Sequence, residues 1–122
     1  MSTQKTGKLG EQTAKKFLIQ KGYKIIKTNL HLRFAELDII AIDPQFTLVF
    51  IEVKTRKTNT FGPINTSLTY TKIQRLKKAA IKFLSQNHIN IPLIWRIDLI
   101  GIELNRNNSP KKITHIKNIL DG

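Results

Sequence analysis

ELDIIAIDPQFTLVFIEVKTR, residues 36–56, is the stretch on which the fold of this chain turns. Two apolar, β-branched runs, 36–43 and 47–55, flank the short break Pro44-Gln45-Phe46, which predicts neighbouring strands joined tightly. Glu36, Asp38, Glu52 and Lys54 are set into these otherwise oily runs. Side chains alternate faces along a strand, so Glu36 shares a face with Asp38, and Glu52 shares one with Lys54. An ionised carboxylate left unpaired on an inner strand position costs several kcal/mol or takes up a proton. The pattern therefore asks for a counter-charge, and a divalent cation is the most economical one.

Upstream, residues 7–21 predict a helix in which Gly7, Glu11, Ala14 and Leu18 fall on one stripe, placing Glu11 on the apolar side. A Glu in the early turns of a helix is also favoured by the macrodipole without any further role. Gly22-Tyr23 ends the helix, and 23–29 reads as a strand. The loop after it carries His31 and Arg33; His31, with no partner at metal-ligand spacing, reads as a solvated loop histidine. Downstream of the central pair, the polar stretch around Gly62-Pro63 reads as an irregular loop. Thr71 or Thr69 then caps a second helix reaching Gln86, with Ile73, Leu76, Ala80, Phe83 and Leu84 as its apolar stripe. Lys72, Arg75, Lys78 and Lys82 recur along one flank, a pattern that fits either a solvated face or a phosphate track. Residues 93–104 form a long strand in which Arg96 and Asp98 share a face and suit an ion pair. Residues 111–119 read as a short last strand or irregular tail, with His115 packed rather than functional. The order is helix, three strands, helix, strand, short strand: one α/β domain spanning 1–122, with helices against a mixed sheet.

The chain has 122 residues, 40% of them apolar, and carries 21 basic against 8 acidic side chains, a formal charge of +13. Such an excess implies an anionic partner, nucleic acid ahead of a membrane surface. No cysteine is present, which excludes disulfides, thiolate metal sites and cysteine nucleophiles, and makes the reducing cytoplasm the expected compartment. No run approaches the length of a membrane span.

In a chain so poor in acid, Glu11, Glu36, Asp38, Glu52 and Asp98 lie in predicted regular elements, and this clustering points to phosphodiester hydrolysis. A hard cation such as Mg²⁺ or Mn²⁺ takes oxygen ligands and keeps several waters, so two or three carboxylates suffice. A Lys on the same strand face can orient or help deprotonate a water. Asp38, Glu52 and Lys54 have the residue types for those parts. Other chemistries fail on inventory: there is no phosphate-binding GxxxxGK[ST] or GxGxxG loop, and the three His are scattered.

Taken together, Gly7, Gly10 and Glu11, then Ala35-Glu36-Leu37-Asp38, then Phe50 to Arg56 (FIEVKTR), resemble the YraN-type small bacterial family assigned to the PD-(D/E)xK nuclease superfamily. Phe61-Gly62, Lys72, Arg96-Ile97-Asp98 and His115-Ile116-Lys117-Asn118 extend the resemblance over nearly the whole chain. The chain departs from the pattern at Ala35, where the family usually has Gly.

The resemblance implies a restriction-endonuclease-like αβββαβ core. It implies Asp38, Glu52 and the main-chain carbonyl of Val53 as ligands of Mg²⁺ or Mn²⁺, Glu11 on a second metal or a ligating water, and Lys54 beside the attacking water. Glu36 and Gln74 take supporting places. Lys72, Arg75, Lys78, Arg56 and Arg33 are the expected nucleic-acid contacts. The expected activity is metal-dependent endonucleolytic cleavage of DNA, branched or single-stranded, and resolvase-like relatives often act as homodimers. Two other readings stand beside it: a non-catalytic nucleic-acid-binding module on the same fold, and an RNA-associated structural protein.

Overall fold

The computed structural model describes residues 3–33, 35–57, 68–87 and 91–120, the side chains of 3–5 excepted. The expected loop around Phe61-Gly62-Pro63 lies outside them. The elements run α1 (Thr3–Gln20), β1 (Lys24–His31), β2 (Glu36–Ile42), β3 (Leu48–Lys57), α2 (Tyr70–Gln86), β4 (Trp95–Leu104) and β5 (Pro110–Ile116). The strands form one sheet in the order β1-β2-β3-β4-β5. Neighbours are antiparallel except β3 and β4, which are parallel because the chain crosses over through α2 between them. This is the expected mixed α/β layout, compatible with a restriction-endonuclease-like core.

Each sheet face buries an apolar set against one helix. Leu37, Ile40, Leu48, Phe50, Ile97 and Leu99 pack with Leu76, Ala79, Ala80 and Phe83 of α2. Ile39, Ala41, Val49, Ile51, Ile100 and Ile102 pack with Ala14 and Leu18 of α1. The central strands are oily throughout because both their faces are covered. Phe50 meets Phe83 and Trp95 edge-to-face, at centroid distances of 5.7 and 5.8 Å. Burial of each such large side chain contributes about 1.5–3 kcal/mol.

Element boundaries move by a few residues from the sequence expectation, each for a local reason. Helix α1 starts four residues earlier, at Thr3. Gly10, unfavourable in a helix by propensity, sits where a Cβ would overlap the Thr55 side chain, so its bareness lets α1 settle onto β3. The helix closes at Gly22, whose φ of +88° reverses the chain while Tyr23 N–H bonds back to the Leu18 carbonyl. Of the two candidate caps for α2, Thr69 is used: its hydroxyl accepts from Lys72 N–H at 3.1 Å. Strand β4 begins at Trp95, not 93, because β3 starts opposite it at Leu48; Leu93 and Ile94 project into solvent. The last segment is a strand rather than a tail, paired antiparallel with β4 from Leu99 to Leu104.

On the α1 face, the expected Arg96–Asp98 pair is the centre of a larger buried network. Asp98, fully buried, accepts from Arg96 Nε (3.0 Å) and Asn118 N–H (2.9 Å) and lies 2.8 Å from His115 Nε2. Arg96 also reaches Asp43 (2.6 Å) and the Tyr23 hydroxyl (3.0 Å). His115 is packed against Phe17 and Tyr23, as a structural histidine would be. Asp43 in turn organises the β2–β3 turn by accepting the amides of Gln45 and Thr47, both at 2.9 Å.

Candidate metal centre at the fork between β2 and β3

Strands β2 and β3 both outrun their pairing. Their ladder covers Ile39–Ile42 against Leu48–Ile51 and stops there, although β2 begins at Glu36 and β3 continues to Lys57. Beyond it, β2 stays with β1 as far as His31 and Glu36, and β3 stays with β4 as far as Lys57 and Leu104. The sheet therefore forks, and Asp38 and Glu52 are the first residues on either side of the opening.

Ladder register continued past Ile39 and Ile51 would set Asp38 opposite Glu52, and the two carboxyl groups do meet at hydrogen-bonding range. Val53 N–H, released from the ladder, donates to Asp38 Oδ2 at 2.8 Å. The Asp38 carboxyl is pushed up to about 7, first by burial and then by the charge of Glu52; the hydrogen bond with Glu52 and the charge of Glu36 add to this, and the Val53 amide opposes it. Two carboxyl groups in contact cannot both ionise without a neighbouring positive charge. A hard cation satisfies that requirement, and the oxygen donors of Asp38, Glu52 and the Val53 carbonyl suit one.

A cleft of about 460 Å³ opens on the α2 side, lined by Ala35, Glu36, Asp38, Glu52, Thr69, Thr71, Lys72, Arg75 and Leu76. Lys72 brings its Nζ to 3.9 Å from Glu52 Oε1, so the helix supplies the nearest ammonium; Lys54 lies two residues beyond Glu52 on the same strand face, outside the cleft lining. Ala35 contributes its methyl group to the cleft wall. Glu36 is exposed and pairs with His31 Nδ1 at 2.9 Å; His31 is solvent-exposed as expected, but it sits at the end of β1 rather than in the loop after it. Gln74 and Lys78 on α2, Arg56 on β3 and Arg33 after β1 lie outside the cleft lining.

Glu11 stands apart from the carboxylate pair, in a smaller cleft of about 180 Å³ on the α1 side that also reaches Asp38. The Asn29 side-chain amide, oriented with its nitrogen toward Glu11, donates to both carboxylate oxygens at 2.8 and 3.2 Å. Burial and the charge of Asp38 raise the Glu11 carboxyl above its usual range, while Asn29 lowers it. Asn29 adopts φ +53° inside β1, a conformation Asn tolerates better than most residues. Sequence reasoning missed Asn29, since one Asn in a strand carries no periodic signal. Among the described residues no three His, Cys, Asp or Glu side chains gather as a ready-made cation cage. The pair from two strands is what the fold assembles, with Glu11 as an outlying neighbour.

The family described as Uncharacterised protein family UPF0102 matches residues 10–102. A UPF0102 protein of Thermodesulfovibrio yellowstonii is 44% identical over 112 residues, covering 92% of each chain. One of Caldicellulosiruptor bescii is 38% identical over 117 residues, covering 96% of this chain and 98% of its own. One of Mycolicibacterium vanbaalenii is 40% identical over 116 residues, covering 93% and 91%. No helix among the described residues is long and apolar enough to cross a membrane. The chain belongs to the UPF0102 family.

Proposed function

We propose that this protein hydrolyses phosphodiester bonds in DNA with the help of Mg²⁺ or Mn²⁺, as its resemblance to the PD-(D/E)xK nucleases implies. The observation that carries the reading is the contact between Asp38 and Glu52 at the fork, with the Asp38 carboxyl pushed up to about 7. Asp38, Glu52 and the Val53 carbonyl would hold the cation. A cation held there would supply an acidified water and an offset to the negative charge on the scissile phosphate. Val53 N–H keeps the Asp38 carboxylate oriented. Lys54 orients the attacking water by donating to it, and Lys72 and Arg75 hold phosphate oxygens from the α2 side. Water adds to phosphorus, the P–O ester bond breaks, and a proton passes to the departing oxygen.

The purified protein, given Mg²⁺ or Mn²⁺ and a panel of branched, single-stranded and duplex DNA, is expected to cut at least one of them. Asp38→Asn should remove that activity while keeping the fold. Wild type and variant with equal activity would refute the reading.

A second reading draws on the Lys72–Glu52 ion pair, in which the protein's own ammonium faces the carboxylate. It is a nucleic-acid-binding module without chemistry. It predicts salt-sensitive binding, no cleavage, and binding that survives Glu52→Gln. Arg96 takes no part, being committed to Asp43 and Asp98 on the other sheet face.

A further inference from the structure

The fork gives Asp38 access to both faces of the sheet. It lines the α2-side cleft with Lys72 and Arg75, and also the α1-side cleft with Lys8, Glu11, Gln12, Lys15 and Asn29. Lys8 and Lys15 are seven residues apart on α1, one turn to either side of Glu11, so all three share a helix face. Glu11 is engaged by the Asn29 amide. Neither lysine makes an ion pair with a described residue. Two cations therefore border the α1-side cleft as two border the α2-side cleft, with the acidic pair between them.

We propose that one DNA strand threads this fork, its phosphates held on one face by Lys72 and Arg75 and on the other by Lys8 and Lys15. The proposal rests on DNA being the ligand of the carboxylate site. Lys8 and Lys15 extend the contact surface to α1, beyond the basic row of α2. The path requires a turn across the end of the sheet between two narrow clefts. A flexible single strand follows such a turn; a duplex, stiff over about 150 base pairs, does not. A strand so placed lays its backbone across Asp38 and Glu52, while the bordering cations offset the repulsion between those carboxylates and its phosphates.

The test is the salt dependence of binding to a labelled oligo(dT) strand in chelator, where no cutting occurs. Each phosphate neutralised on a single strand contributes about 0.7 to the slope of log K against log salt. Lys8→Gln/Lys15→Gln is expected to lower the slope by about 1.4, and Lys8→Gln alone by about 0.7. Lys111→Gln/Lys112→Gln, which removes the same charge from exposed positions on β5, is the control and is expected to lower it by less than half as much. Duplex binding should fall equally in the two double variants. Equal slopes for both double variants on the single strand would overturn the proposal, as would absence of salt-dependent binding by the wild type, or tighter binding to an RNA strand of equal length. Cleavage is read separately with Mg²⁺ added. Cutting with unchanged slopes removes the strand path and keeps the nuclease; the expected slopes without cutting keep the path and remove the hydrolysis.

Discussion

Replacing Asp38 with Asn should stabilise the metal-free protein at about pH 8 and leave it nearly unchanged at about pH 4. The carboxyl is raised from 3.8 to about 7 in the fold. A folded-state pKa above the unfolded value means that the native state holds the proton more tightly. The stabilisation this brings is complete below the unfolded pKa and is lost as pH rises through the folded one. Each unit corresponds to 1.36 kcal/mol, so ionising Asp38 in the fold costs up to about 4 kcal/mol by pH 8. Asn has nearly the same shape and keeps an oxygen to accept Val53 N–H, so the substitution removes the charge and preserves the contact. Carboxylates remote from Asp38 titrate over part of the same range but cancel when the variant's curve is subtracted from that of the wild type, so the difference reports Asp38 together with Glu52 and Glu11, which feel its charge. The measurement is urea unfolding in chelator at several pH values, with midpoints compared at constant m. The difference should widen steadily between about pH 4 and pH 8. A constant difference, or a variant less stable at the high end, would refute the account of the fork as a strained acidic pair. Added Mg²⁺ should then stabilise the wild type at pH 8 more than the variant, because only the folded pair binds it.

Gly10→Ala would drive a Cβ into Thr55 Oγ1 and to 2.7 Å from Thr55 Cβ, so a loss of about 1–3 kcal/mol or more is expected in urea unfolding, with partial rescue by Thr55→Gly. Asp98→Ala leaves Arg96 and the Asn118 amide without their buried acceptor, and should cost about 3–5 kcal/mol by the same assay. Hydrogen bonds and the Arg96 charge hold the Asp43 and Asp98 carboxyls below the usual range despite their burial. Their contribution is present above the unfolded pKa and lost as pH falls through the folded values, so Arg96→Met should move the acid-unfolding midpoint to higher pH, followed by circular dichroism. Lys72→Gln removes an ammonium 3.9 Å from Glu52 in a partly exposed setting worth about 0.5–1 kcal/mol; Mg²⁺ affinity by calorimetry should rise about two- to fivefold.

The elements were legible because their signals are local. The apolar β-branched runs of 36–43 and 47–55 with side chains taking alternate faces, the period of Leu76, Ala80 and Phe83, and the stop at Gly22 each involve residues a few positions apart. Such signals survive any arrangement of the rest of the chain. Glu36 could be placed beside Asp38 by the same rule, yet its ion partner, His31, was set by the β1–β2 register, which no local pattern encodes.

The sequence by itself determined the two-sided oily strands, the helices that cover them, and the sparse carboxylates embedded where burial makes a bare charge costly. Only the tertiary structure decided that the β2–β3 ladder stops at Ile39 and Ile51, so that Val53 N–H turns to Asp38 and Asp38 meets Glu52. The same holds for Lys72 facing Glu52 and for Arg96 reaching Asp43, 53 residues away. The reason is physical: propensity and periodicity act between near neighbours, whereas the pairing of buried charges depends on strand register and helix docking, which emerge only when the whole core is packed.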